Sequence, residues 1–187
     1  MQAVVDPVQL QAIEEIFERI TSDLSMLADR EIGVKELVVE RHTARPAGAG
    51  KIHISFRFGA EEGEQIHHGT LLIPLPDSIT LASFLMMLPD DTVRERRGWA
   101  TLDDSLKDAM LEIGNFVGGA VDAALRALET SVSRVRFEGC QGVRAGVRPA
   151  LVYREGAPLL VGRAKVTIGS YEPTEMVVII PDGKYLG

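Results

Sequence analysis

The sequence predicts an α+β protein: a mainly antiparallel sheet with two long amphipathic helices packed against it, laid out as a pseudo-twofold internal duplication. Two segments place apolar residues at steps of three and four, the period of a helix with one buried face. Short segments rich in β-branched and aromatic residues separate and follow them. The order of long helix, strand and further strands occurs twice, and each last strand closes on an Ile-Pro pair, Ile73-Pro74 and Ile180-Pro181. Residues 1–187 thus read as one domain, with 6–76 as the first half and 102–183 as the second.

Asp6 followed by Pro7 is an N-cap with proline at the first helical position, where a missing N–H is harmless. Leu10, Ile13, Phe17, Ile20 and Leu24 then carry a helix to about residue 28. Residues 34–39, 51–58 and 70–75 read as strands. The stretch 51–58 alternates polar and apolar side chains, as a strand with one buried face does. Turns are expected over 44–50 and 59–65, with His67 and His68 near a turn tip. Asp77 is expected to cap a short helix that ends before Pro89. Asp103, Asp104 and Ser105 open the second long helix, 102–128, whose stripe is Leu106, Met110, Ile113, Val117, Val121, Ala124 and Leu128. Strands are expected at 132–137, near 150–153, at 159–168 and at 175–180.

Composition narrows the function classes. Apolar residues make up 45% and charged residues 25%, the balance of a soluble globular chain. No apolar run approaches the roughly 20 residues of a membrane-spanning helix, and residues 1–10 lack the pattern of a secretory signal. Cys140 is the single cysteine, which excludes an internal disulfide and a cysteine-based zinc site and fits a reducing cytoplasm. The net charge of −7 argues against nucleic-acid binding. The small basic cluster of Arg94, Arg96 and Arg97 is interrupted by Glu95 and followed by acidic Asp103 and Asp104.

The outer face of the second long helix holds the candidate site. At about 100° per residue, Asp108, Glu112 and Asn115 form one row almost opposite the apolar stripe, and Gly119 continues it one turn on. Gly114, Gly118 and Gly119 each cost about 1 kcal/mol relative to Ala in an exposed helix interior. They serve either to keep the polar ridge low for an approaching surface or to let the helix pack closely on its neighbours. A solvated helix face is the plain reading of such a row on spacing alone.

Asp108, Glu112 and Asn115 match the Asp/Ser-x-x-x-Glu-x-x-Asn signature of the CheC/CheX/FliY phosphatases, and the runs 111–120 and 69–76 are similar to that family as well. The chain resembles this family over most of its length. The resemblance implies hydrolysis of the aspartyl phosphate of a phosphorylated CheY-like response regulator. It assigns Asn115 to orient the attacking water and Glu112 to dock a lysine of the partner, with Asp108 and Gly119 extending the docking surface. It implies no cofactor in this chain; Mg²⁺ belongs to the regulator. Two departures stand out. The first helix carries Glu15 and Glu18 where two-site members carry Glu and Asn, so the first half is expected to be silent, a single-site pattern closer to CheX. Glu138 stands where many members carry a proline, which leaves the path of the following strand open. The rival reading is a non-enzymatic regulator-binding adaptor or flagellar switch component. A small-molecule sensor would need an enclosed apolar pocket, which the sequence neither shows nor excludes. An exposed edge strand would allow two sheets to join into a homodimer. His67 and His68 beside Glu64, on an extended segment, point to opposite faces and make a poor metal site.

Overall fold

The computed structural model describes residues 5–46 and 50–187. The expected turn over 44–50 and the N-terminal pattern over 1–10 lie partly outside the described residues.

Helix α1 (Pro7–Ala28) starts from a capping box. The Asp6 carboxylate accepts from the Val8 N–H, and the Gln9 side chain accepts from the Asp6 N–H. Three strands follow: β1 (Ile32–His42), β2 (His53–Glu62) and β3 (Gln65–Pro74). Helices α2 (Leu75–Leu85), α3 (Asp90–Arg96) and α4 (Asp104–Ala127) come next, then β4 (Arg134–Val143), β5 (Leu159–Ile168) and β6 (Thr174–Pro181). A short 3₁₀ turn at Lys184–Leu186 ends the chain.

All six strands join one antiparallel sheet in the order β1-β5-β6-β3-β2-β4. Exchanging β1 with β4, β2 with β5 and β3 with β6 returns the same order, and the prolines of both Ile-Pro pairs end the central strands β3 and β6. Helices α1 and α4 pack together on one face of the sheet, α1 over β1 and α4 over β4. Buried on nearly every side, α2 packs against both of them and over β2 and β3. The main core lies in this layer, around Phe17, Phe56, Phe58, Leu71, Ile73 and Met110. On the opposite face Leu72, Leu159, Val161, Val177 and Ile179 form a second cluster, covered by Leu151 and Tyr153.

Several local expectations change. The hairpin of β2 and β3 is longer than the alternation suggested: Gly59 is paired within β2, and the turn tightens to Gly63 with φ 58°. His67 and His68 therefore sit on β3. They do point to opposite faces, His67 stacked on the Tyr185 ring at 3.9 Å and bonded to Glu62, His68 bonded to Glu138. Residues 150–153 form no strand; Leu151 and Tyr153 pack on the sheet from an irregular crossing. Asp77 is not a cap. It is buried within the first turn of α2, where Arg97 pairs with its Oδ1 at 2.6 Å and the Thr174 hydroxyl donates to its Oδ2. Arg97 also donates to Thr80 and lies over the Tyr171 ring. The carboxylate thus ties α2, the end of α3 and the start of β6 together.

Candidate functional site

The sequence of α4 fixes which way its ridge faces. The Asp103 carboxylate caps the helix by accepting from the Leu106 N–H at 2.8 Å. Leu106, Met110, Ile113, Val117, Val121 and Ala124 are all buried, so the predicted stripe does face the core. Two features lock the helix laterally onto β4. A Cβ on Gly114 would lie 2.1 Å from the Phe137 ring, and one on Gly118 would lie 3.0 Å from the Phe137 backbone nitrogen. Those two glycines serve close packing. Near the other end, the Asp122 carboxylate accepts from the Val135 N–H at 2.7 Å and from Arg126 at 2.7 Å.

With the helix held on that side, Asp108, Glu112, Asn115 and Gly119 are all exposed. Among the described residues, no hydrogen bond or ion pair engages the side chains of Asp108, Glu112 or Asn115. Residues three and four apart on a helix stand about 5–6 Å apart at their Cβ atoms, so the carboxylate of Glu112 and the carboxamide of Asn115 can contact one object together. A Cβ on Gly119 would meet nothing within 4 Å, which leaves the ridge low one turn beyond Asn115.

Reasoning from the polar row alone missed its flanks. Leu111 and Phe116 are 48% and 42% exposed and border the row on either side. Leu111 also forms one wall of an open groove of about 310 Å³, with Leu102, Lys107, Met110 and Cys140. The same helical wheel that turns Glu112 outward sets both residues beside it. Burial pushes the Cys140 thiol above its usual pKa, which works against a nucleophilic role. Asp108, Glu112 and Asn115 do not line that groove and stand exposed on the outer face of the helix, where they can enter another protein's cleft.

The first half presents a different surface. Glu15 is paired with Arg19 at 2.8 Å, one turn along α1, while Glu18 is exposed. Glu138, where a proline was the alternative, sits at a bulge of β4 opposite Arg57 and Phe58, and its carboxylate accepts from His68 Nδ1 at 2.9 Å. The strand runs on through Glu138 to Val143. Among the described residues, no group of His, Cys, Asp and Glu side chains is arranged to hold a metal ion, and no helix is long and apolar enough to cross a membrane.

A six-stranded antiparallel sheet with this order and with helices on one face is the CheC-like fold. FliY from Thermotoga maritima matches with a TM-score of 0.69 at 14% identity, covering 98% of this chain and 94% of that one. The FliM middle domain from H. pylori matches at 0.63 and 12% identity, over 95% and 94% of the two chains. The chemotaxis protein CheX from Desulfovibrio desulfuricans matches at 0.58 and 15% identity, over 90% and 97%. No protein-family model and no curated protein matches the sequence. The chain therefore shares the fold of the CheX, FliY and FliM proteins.

Proposed function

We propose that this protein accelerates hydrolysis of the aspartyl phosphate on a CheY-like response regulator. The observation that carries the proposal is the unpaired, exposed row of Asp108, Glu112 and Asn115 on a helix locked to the sheet. In the reaction, a water oxygen attacks phosphorus, the bond from phosphorus to the aspartyl oxygen breaks, and inorganic phosphate leaves behind a free carboxylate. Phosphoryl transfer asks mainly for positioning and charge stabilisation. The Asn115 amide accepts a hydrogen bond from the water without adding negative charge beside the phosphoryl group; a carboxylate there would repel it. Glu112 pairs with a lysine of the regulator and sets the register in which Asn115 enters, and Asp108 and Gly119 widen the contact. The Mg²⁺ of the reaction belongs to the regulator.

The test is phosphate release from phosphorylated regulators of the same organism. Addition of the wild-type protein accelerates release, Asn115→Ala abolishes the acceleration, and Glu112→Ala raises the concentration needed for it. Wild-type acceleration by Asn115→Ala removes the mechanism.

A second reading is a regulator-binding adaptor or switch component without hydrolysis. The exposed Leu111 and Phe116 beside the row support it, since they add apolar contact area that hydrolysis itself does not use. Binding of a phosphorylated regulator with no change in its lifetime would decide for this reading.

A further inference from the structure

The face of the sheet turned away from the helices holds a cluster that the phosphatase reading does not use. Arg57 on β2 and Arg45, just after β1, line one cavity of about 200 Å³ together with His68, Glu138, Leu151 and Val152. Both arginines have a buried Nε that lacks a hydrogen-bond partner among the described residues. No ion pair between described residues engages either guanidinium. Arg45 donates through Nη1 to the Pro149 carbonyl at 2.7 Å and lies 5.7 Å from the centre of the Tyr153 ring. Those contacts orient it without neutralising it.

The carboxylate in the cavity is already engaged. Glu138 accepts from His68 Nδ1 at 2.9 Å, across the intervening strand β2. Only glycine at position 59 allows this crossing, because a Cβ there would lie 2.4 Å from Glu138 Oε1. The pair is thereby held over Gly59 as one wall. Two fixed cations facing a single carboxylate leave an excess of positive charge, in a chain whose net charge is −7. Partly buried guanidinium groups without anions are costly, and a bound anion removes that cost.

We propose that this cavity binds a small tetrahedral oxyanion of the phosphate class, with Arg57 and Arg45 as its principal ligands. The volume supports the size. Pockets for drug-sized ligands run to roughly 300–1,000 Å³, whereas one water occupies about 30 Å³ of liquid, so the space fits a small ion with a few waters and is too small to enclose a nucleotide. The shape supports the class. One arginine rises from the sheet and the other reaches in from outside it, and a tetrahedral ion presents oxygens to both, whereas a flat carboxylate presents them along one edge.

The experiment is calorimetric titration and thermal unfolding of the full chain with sodium phosphate, sulfate, acetate and chloride at constant ionic strength. Phosphate and sulfate bind saturably and raise the unfolding temperature; acetate and chloride do not. Arg57→Met weakens phosphate binding about tenfold or more, as expected for loss of one charge-assisted group, while the ion-free protein remains at least as stable as the wild type. Should Arg57→Met fail to fold, Arg45→Met, which alters a residue outside the strands, carries the same comparison. Equal phosphate affinity in wild type and variant, or a response matched by chloride, overturns the site. Equal affinity for acetate overturns the tetrahedral class.

Discussion

The Phe137 ring of β4 occupies the space a side chain on Gly114 of α4 would need, with three ring atoms between 2.1 and 2.5 Å from the position of an added Cβ. The helix and its strand meet at van der Waals distance only because position 114 carries no side chain. Gly119, five residues on, faces open space. Gly114→Ala therefore displaces the ring and destabilises the protein by about 1–3 kcal/mol, in spite of the better helix propensity of alanine. Gly119→Ala stabilises it by about 0.5–1 kcal/mol. Urea denaturation of both variants checks the pair, and a loss of stability in Gly119→Ala would contradict the assignment.

Asp77 is 2% exposed and pairs with Arg97 at 2.6 Å. Removing the carboxylate leaves the guanidinium, itself mostly buried, without its anion. Asp77→Ala costs about 3–5 kcal/mol, the range for breaking a buried pair from one side. A midpoint shift corresponding to less than about 1 kcal/mol would show that solvent reaches Arg97 freely.

Asn115 and Glu18 occupy matching steps on the two long helices, and both are exposed. Neither is expected to matter for folding, so Asn115→Ala and Glu18→Ala each change stability by no more than about 0.5 kcal/mol. Their effects on regulator dephosphorylation diverge: Asn115→Ala removes the acceleration and Glu18→Ala leaves it at the wild-type rate. Equal damage from both substitutions would make the first half an active partner.

His53 is 2% exposed at the start of β2, and its Nδ1–H donates to the Lys51 carbonyl at 2.9 Å. Burial holds its pKa below the ordinary histidine value. The unfolded chain then binds the proton more readily, so this contribution to stability is present above about pH 6.5 and is lost progressively as pH falls toward the lower folded value. His53→Gln is expected to flatten the stability curve between about pH 7.5 and 5. An unchanged slope in the variant would place the acid sensitivity elsewhere.

Local patterns carried a large part of this fold. The long helices, the outward row on α4 and the strand Leu159–Ile168 were readable because periodicity is a property of neighbours in sequence, and burial followed it. What depended on distant partners was not readable. The apolar run at 150–153 looked like a strand, yet Leu151 and Tyr153 bury themselves against the sheet without joining it. Asp77 looked like a cap because its partner Arg97 lies beyond a further helix. The proposed anion cavity is assembled from five separate segments, and no spacing rule links Arg45, Arg57, His68, Glu138 and Leu151. For the candidate site, the sequence indicated the row and its orientation, while the lateral locking of α4 by Phe137 and Asp122 emerged only from packing.

Both outermost strands break step with their neighbours, β1 between Val34 and Glu36 and β4 opposite Arg57 and Phe58, and the residues left over are charged, Lys35 and Glu138. A second molecule seeking to extend the sheet would find an interrupted row of donors and acceptors at either rim. Lateral stacking of copies is thereby discouraged at both ends.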